Sequence, residues 1–306
     1  MKRRSEWGQD TLDEHLPGRW VDLKLTPAMH AAGPGPAMGF LAGALAAGRP
    51  LWSWPDWGWL LLGLFLVTAV WGRLWTRCGE APWLHAAGPG PAALDPGRGT
   101  LPYSLPGSLS ARWESALRRA WAFLHQALTT PGSGWMEVLG LGALLLLVAG
   151  LRGHEALLGA LLGLALLGLR RLVRGRPAAL AFLLVLGGMA WPWWVGHLAW
   201  VALSGESVLL SMLWGTSYAA WATLRGEGAA GRPLLVSDAA QGVVVLFFLL
   251  SGRPVVGTLL AMVLFAQVLV QVALLRAGRR AELSARLGPL IALGAIGTGL
   301  ACGGWV

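Results

Sequence analysis

Side chains able to do chemistry inside this chain are few. Aspartate occurs only at 10, 13, 22, 56, 95 and 238, and Asp238 alone stands within an apolar stretch. It follows Arg232 by six residues, about 9 Å along a helix at 1.5 Å per residue, and Gln241 shares its face at i+3. An ionised carboxylate turned toward hydrocarbon would cost on the order of 3 kcal/mol or more, so this face must point into a bundle. There it is either the polar rim of a buried lipid or quinone pocket, or a strut tied to an arginine or a helix end. Tyr218 either bounds the same cavity or sits at the membrane interface. Gln267 and Gln271, spaced i, i+4, suit hydrogen bonding between helices. His197, in Trp191-Pro-Trp-Trp-Val-Gly-His197-Leu-Ala-Trp200, has two readings. A neutral imidazole there could ligate chlorophyll magnesium or haem iron, or it belongs to a tryptophan-rich interfacial belt and reaches water. Asp238, Gln241, Tyr218 and His197 are therefore the candidate cofactor-binding residues, with a lipid, quinone, carotenoid or chlorophyll-type pigment as ligand. No catalytic or metal-binding set is expected.

Cys78 and Cys302 are the only cysteines, too few for a disulfide framework or a thiolate metal site. The octapeptide His-Ala-Ala-Gly-Pro-Gly-Pro-Ala occurs twice, at 30–37 and 85–92. Two histidines on flexible turns could share a metal, but no carboxylate or cysteine accompanies them at ligand spacing, which fits a local duplication better.

These residues sit in a chain of 306 residues that is 55% hydrophobic and 13% charged, against about 25% charged in ordinary soluble domains. That balance excludes a free-standing cytosolic enzyme and points to a polytopic membrane protein. Met1-Lys2-Arg3-Arg4 runs into Asp10, Asp13 and Glu14 without an apolar region, so no cleavable signal is expected. Apolar stretches near the ~20 residues needed to cross a bilayer fall at about 28–48, 57–75, 135–151, 155–169, 177–203, 206–224, 233–251, 254–275 and 287–305. The third and fourth are separated only by Arg152, Gly153 and His154 and should form a tight hairpin, while Pro192 should kink the fifth.

Lys and Arg fix the orientation. Of 24 in the chain, 21 fall in alternate connections and the N-terminal tail, and only Arg49, Arg152 and Arg253 fall in the opposite set. The positive-inside rule then gives a bacterial inner membrane protein with a cytoplasmic N-terminus and an outside C-terminus. It explains the net charge of +9 without nucleic acid. The expected organisation is a cytoplasmic tail over 1–27 and an all-α bundle of about nine transmembrane helices over 28–306, with a long cytoplasmic loop or cap at 76–134. Within that loop, Trp113, Leu117, Trp121, Leu124 and Leu128 form an apolar stripe at helical spacing. An amphipathic helix over 110–128 should lie along the membrane surface, as a lid or as a strut. Gly140, Gly142 and Gly150, with Gly159 and Gly163 on the next span, suit close helix contacts within or between chains.

Nine spans, the Thr26-Pro27 entry to the first, a long loop after the second, and Leu224-Arg225-Gly226-Glu227-Gly228-Ala229-Ala230-Gly231-Arg232 after the sixth resemble the UbiA-type superfamily of membrane prenyltransferases. The resemblance implies a UbiA-like bundle acting on an isoprenyl diphosphate, with divalent cations held by aspartate-rich motifs after spans two and six. This chain departs from that pattern. It reads Thr68-Ala-Val-Trp-Gly-Arg73-Leu-Trp-Thr-Arg77 at the first position and Tyr218-Ala-Ala-Trp-Ala-Thr-Leu-Arg225 at the second, with arginine where carboxylates are required. Arg73, Arg77 and Arg225 either hold a phosphate without metal or anchor the inner face. The expectation is a non-catalytic member serving as a lipid-, quinone- or pigment-holding subunit beside other membrane protein subunits. An active prenyltransferase and a small-solute transporter are the alternatives.

Overall fold

A computed structural model describes residues 34–49, 54–80, 134–173, 176–224, 231–279 and 282–305. The tail over 1–27, the amphipathic stretch over 110–128, the second octapeptide and Arg225 lie outside the described residues. Those described are helical throughout and contain no strand. Lipid explains this: with no water to bond backbone amides and carbonyls, an apolar chain must satisfy them within itself, which a helix does residue by residue.

The helices are α1 (Gly35–Ala46), α2 (Trp54–Phe65), α3 (Gly72–Glu80), α4 (Gly134–Arg152), α5 (His154–Leu172), α6 (Pro177–Val185), α7 (Trp191–Leu198), α8 (Gly205–Thr223), α9 (Gly231–Leu250), α10 (Pro254–Arg276) and α11 (Leu283–Cys302). A π-helical turn at Leu66–Trp71 joins α2 to α3, and another at Leu186–Ala190 joins α6 to α7. The described parts of the apolar stretches fall mainly on helices or continuous helix pairs. Among the described residues, five rods are long and apolar enough to cross a membrane: Trp54–Cys78, Ala178–Leu198, Gly231–Leu250, Pro254–Arg276 and Leu283–Cys302. Helix α1 has 12 residues, about 18 Å at 1.5 Å each, short of a ~30 Å core.

Local sequence accounts for the joints. Gly153 has φ +143°, a conformation open to glycine, and it alone links α4 to α5, which is the tight hairpin expected. Pro192 stands in the first turn of α7. It offers no N–H to the carbonyl four residues back and its ring crowds that carbonyl. The irregularity it brings is the π-helical turn immediately before it.

Two clusters share the interior. Phe40 and Ala44 of α1 pack with α2 to α7 in one. Met38, Ala42 and Ala46 of α1 pack with Met189, Trp193 and α8 to α11 in the other. Helix α1 therefore lies between two layers. Its grip is backbone on backbone: a Cβ placed at Gly43 would collide with the Trp193 carbonyl, at Gly196 with the Phe40 carbonyl, and at Gly299 with the Ala42 carbonyl. Of the glycines expected at helix contacts, Gly163 makes room for the Trp191 ring, whereas Gly140 and Gly150 face open space and Gly142 and Gly159 make only ordinary contacts.

The basic residues separate onto two faces. On one, Arg73 and Arg77 of α3 pair with Glu137 at the start of α4. There too, Arg170 of α5 donates to the Trp75 carbonyl and lies over its ring. On the opposite face, Arg253 before α10 bonds Glu206 at 3.4 Å and the Ala301 carbonyl at 3.1 Å, and Arg152 meets the end of α7. Trp54 is 89% exposed, as an interfacial anchor on that face should be.

Candidate functional site

Two features stand out within the bundle: a polar network and an apolar cavity. The network joins α8, α9 and α10. One carboxylate oxygen of Asp238, Oδ1, accepts from Gln267 Nε2 at 2.9 Å and Gln271 Nε2 at 2.8 Å. Gln241 Nε2 donates to Ser217 Oγ at 2.9 Å and Gln267 Oε1 at 3.2 Å, and the Ser217 and Ser237 hydroxyls lie 2.8 Å apart. The i, i+3 and i, i+4 spacings put these groups on facing stripes. Among the described residues, the partners of Asp238 are two glutamines and no arginine. Ser217, Ser237, Gln241, Gln267 and Gln271 are buried.

Of the four candidate residues, Asp238 and Gln241 both bond Gln267, whereas Tyr218 and His197 lie elsewhere. Tyr218 packs where Gly35 and Gly188 leave space for its ring, 5.4 Å from the Trp221 ring. His197 is buried with its Nδ1 3.3 Å from Ser207 Oγ, which also accepts from Trp193 Nε1 at 2.8 Å. Ser207 is placed by the N-cap of α8, where the Ser204 side chain accepts from its amide. Ser207 and Ser217 are ten residues apart on α8, about 15 Å along its axis, so His197 and Asp238 do not form one site.

The cavity lies between α2, α4, α5 and α7. Its volume is about 50 Å³, and its lining runs from Trp59, Arg152 and Ala199 at the Arg-poor face to Val67 and Trp191 in the interior. The step from Trp59 to Val67 is about 12 Å of helix. One π-helical turn bounds its inner end, and the other directly precedes a residue that does. Leu66 and Val67 belong to one of them, and Trp191 directly follows the other. A hydrogen bond from Trp71 Nε1 to the Gly187 carbonyl, 2.9 Å, ties the two turns together. Such turns widen a helix and recur at functional sites.

Beyond this end the interior is filled by indoles. Trp71 and Trp191 have ring centroids 3.9 Å apart, and Trp71 and Trp75 are 5.5 Å apart. Trp191 Nε1 donates to the Gly159 carbonyl at 2.8 Å. Glycine makes this stack possible, since a Cβ at Gly163 or Gly187 would enter the Trp191 or Trp75 ring.

Arg152 is the charged member of the lining. Its Nε donates to the Ala199 carbonyl at 2.8 Å, and its guanidinium carbon lies 5.2 Å from the Trp59 ring and 4.9 Å from the Trp200 ring. The cation therefore sits against the carbonyl ends of α4 and α7, where helix dipoles favour positive charge. Sequence reasoning passed over this place. The available signal was that Arg152 is one of only three basic residues assigned to that face.

Among the described residues, no group of three or more His, Cys, Asp or Glu side chains comes together to hold a metal ion. No family model, curated protein or solved structure matches the chain.

Proposed function

We propose that the chain is a non-catalytic, UbiA-like membrane protein of nine crossings that holds the aliphatic chain of a lipid, as a subunit of a larger membrane assembly. The observation that carries this reading is the apolar cavity beside the indole stack. A volume of about 50 Å³ is roughly four water-sized spheres of 10–15 Å³, far below the ~300–1,000 Å³ of pockets for ring-bearing ligands. It has room for a few methylene groups, so a short stretch of one aliphatic chain suits it better than a quinone ring or a tetrapyrrole. Two further features agree. The segment after α2 carries Trp71 and Trp75 inward, where a diphosphate enzyme needs carboxylates. Arg73 and Arg77, the alternative phosphate ligands, are engaged by Glu137.

Calorimetry of the purified chain with isoprenyl diphosphate and Mg²⁺ should accordingly show no binding that chelation removes. Micromolar, chelation-sensitive binding would establish the transferase reading, and solute flux in proteoliposomes the transporter reading. Purification from native membranes in mild detergent should instead yield the chain with co-extracted lipid and partner subunits.

Orientation has its own test. Ala277 and Ser251 are exposed just beyond opposite ends of α10. With Cys78 and Cys302 replaced by serine, an impermeant maleimide should label Ala277→Cys from the cytoplasmic side and Ser251→Cys from outside. The reverse pattern would invert the bundle.

A further inference from the structure

We infer that the cavity takes an acyl chain of an anionic phospholipid whose phosphate is bound at Arg152. This rests on the reading that the cavity holds a lipid chain, and it adds the headgroup, the leaflet and the residue that selects them.

The first argument is where the charge lies. Arg152 belongs to a face that holds three of the chain's 24 basic residues. A cation there runs against the usual distribution and needs a local reason. Arg253 has one, since it pairs with Glu206. Arg152 makes no ion pair among the described residues. Arg49 and Asp56 lie within Coulombic range of it, so one like charge and one opposite charge accompany it without neutralising it by contact.

The second argument is geometric. A guanidinium offers five N–H donors in a plane. In Arg152 the Nε and Nη2 groups are turned to the Ala199 carbonyl, and the Nη1 group is left for another acceptor. The lining beneath it is apolar and half-enclosed, with exposed Leu62 on its rim. A cation above an apolar slot that opens sideways is the complement of a lipid whose phosphate and acyl chain lie end to end. Guanidinium binds phosphate oxygens more strongly and with better fit than it binds neutral acceptors.

The test is native mass spectrometry of the full chain in micelles containing equal amounts of phosphatidylglycerol and phosphatidylcholine with identical acyl chains. The wild type should retain phosphatidylglycerol in roughly tenfold excess, because both lipids bring the phosphate but the choline ammonium of phosphatidylcholine sets a further cation beside Arg152 and Arg49. Arg152→Gln should bring that ratio to about one, and Arg152→Lys should keep most of it. Because both lipids are read on the same folded molecules, loss of yield in a variant does not enter the ratio. Ala160→Phe, which fills the cavity wall, should release both lipids. Equal retention of the two by the wild type, or a preference that survives Arg152→Gln, would overturn the headgroup assignment and leave the cavity reading standing. Retention unaffected by Ala160→Phe would overturn the cavity reading itself.

Discussion

Gly43→Val should destabilise the bundle by about 3 kcal/mol or more, beyond the 1–3 kcal/mol typical of overpacked cores. Most overpacking is relieved by rotating a side chain. At Gly43 the atoms in the way are the carbonyl oxygen, carbonyl carbon and Cα of Trp193, all backbone of α7, and they cannot rotate aside. Relief requires α1 to move away from α7. That movement is opposed on the far side, where Gly299 of α11 stands as close to the Ala42 backbone. Helix α1 is short, and nine of its residues are buried, so a shift disturbs both core clusters together. With total stability of about 5–15 kcal/mol, the variant should lose much of its yield and melt many degrees lower in detergent. Gly140→Val is the control, because a Cβ there meets nothing within 4 Å; it should change stability by about 0.5 kcal/mol or less. If the two variants melt alike, α1 does not pack on α7 at backbone distance.

The central place of α1 shows what sequence could and could not convey. Gly39-Phe-Leu-Ala-Gly43 carries two glycines four apart, the spacing that lets helices approach closely in lipid, and it was legible in principle. The glycines of α4 and α5 drew attention instead, because they too are spaced for helix contacts. Spacing states that a close approach is possible. It does not state which partner arrives, and that information belongs to tertiary structure.

Rods and their order were readable because hydrocarbon imposes one rule on every residue: long apolar runs become helices and cations stay at the ends. Arg152-Gly153-His154 announced its turn for the same reason, with charge and glycine together between two apolar runs. The π-helical turns were not readable. Pro192 gave a cue for the one at Leu186–Ala190, but Leu66–Trp71 contains no proline and looks in sequence like the helix around it. Its cause is packing of Trp71 against Gly187 and Trp191, residues more than a hundred positions away. The cavity depends on those same contacts, so periodicity could not reveal it. Asp238 and Gln241 were found because a carboxylate in an apolar run is conspicuous, and their partners Gln267 and Gln271 were noted for an equally local reason. Tyr218 and His197 were grouped with them as polar atoms in lipid. They share only a polar atom in an apolar run: Tyr218 packs on Trp221 and His197 meets Ser207, both away from the Asp238 carboxylate.

Asp238→Ala should cost about 2 kcal/mol, through the glutamines it leaves behind. Hydrogen bonds between membrane helices average about 0.6 kcal/mol and reach about 1.7, and Asp238 Oδ1 accepts two of them. Alanine removes the acceptor and leaves Gln267 Nε2 and Gln271 Nε2 without it in a buried place, where an unmet donor costs about 1–3 kcal/mol. Removing all three polar groups is a different change. Asp238→Ala with Gln267→Leu and Gln271→Leu leaves nothing unpaired between them, so the triple variant should be more stable than the sum of its parts by about 0.5–3 kcal/mol. Asp238→Asn keeps an oxygen at the acceptor position and should cost less than Asp238→Ala. Thermal melts of the set in one detergent measure the coupling. The lipid retained by these variants should match the wild type, because no residue of α8, α9 or α10 lines the cavity. Loss of lipid with unchanged melting would mean that Asp238 is the rim of a binding pocket after all. Additive costs across the set would mean that the carboxylate and the two amides do not share a hydrogen-bonded network.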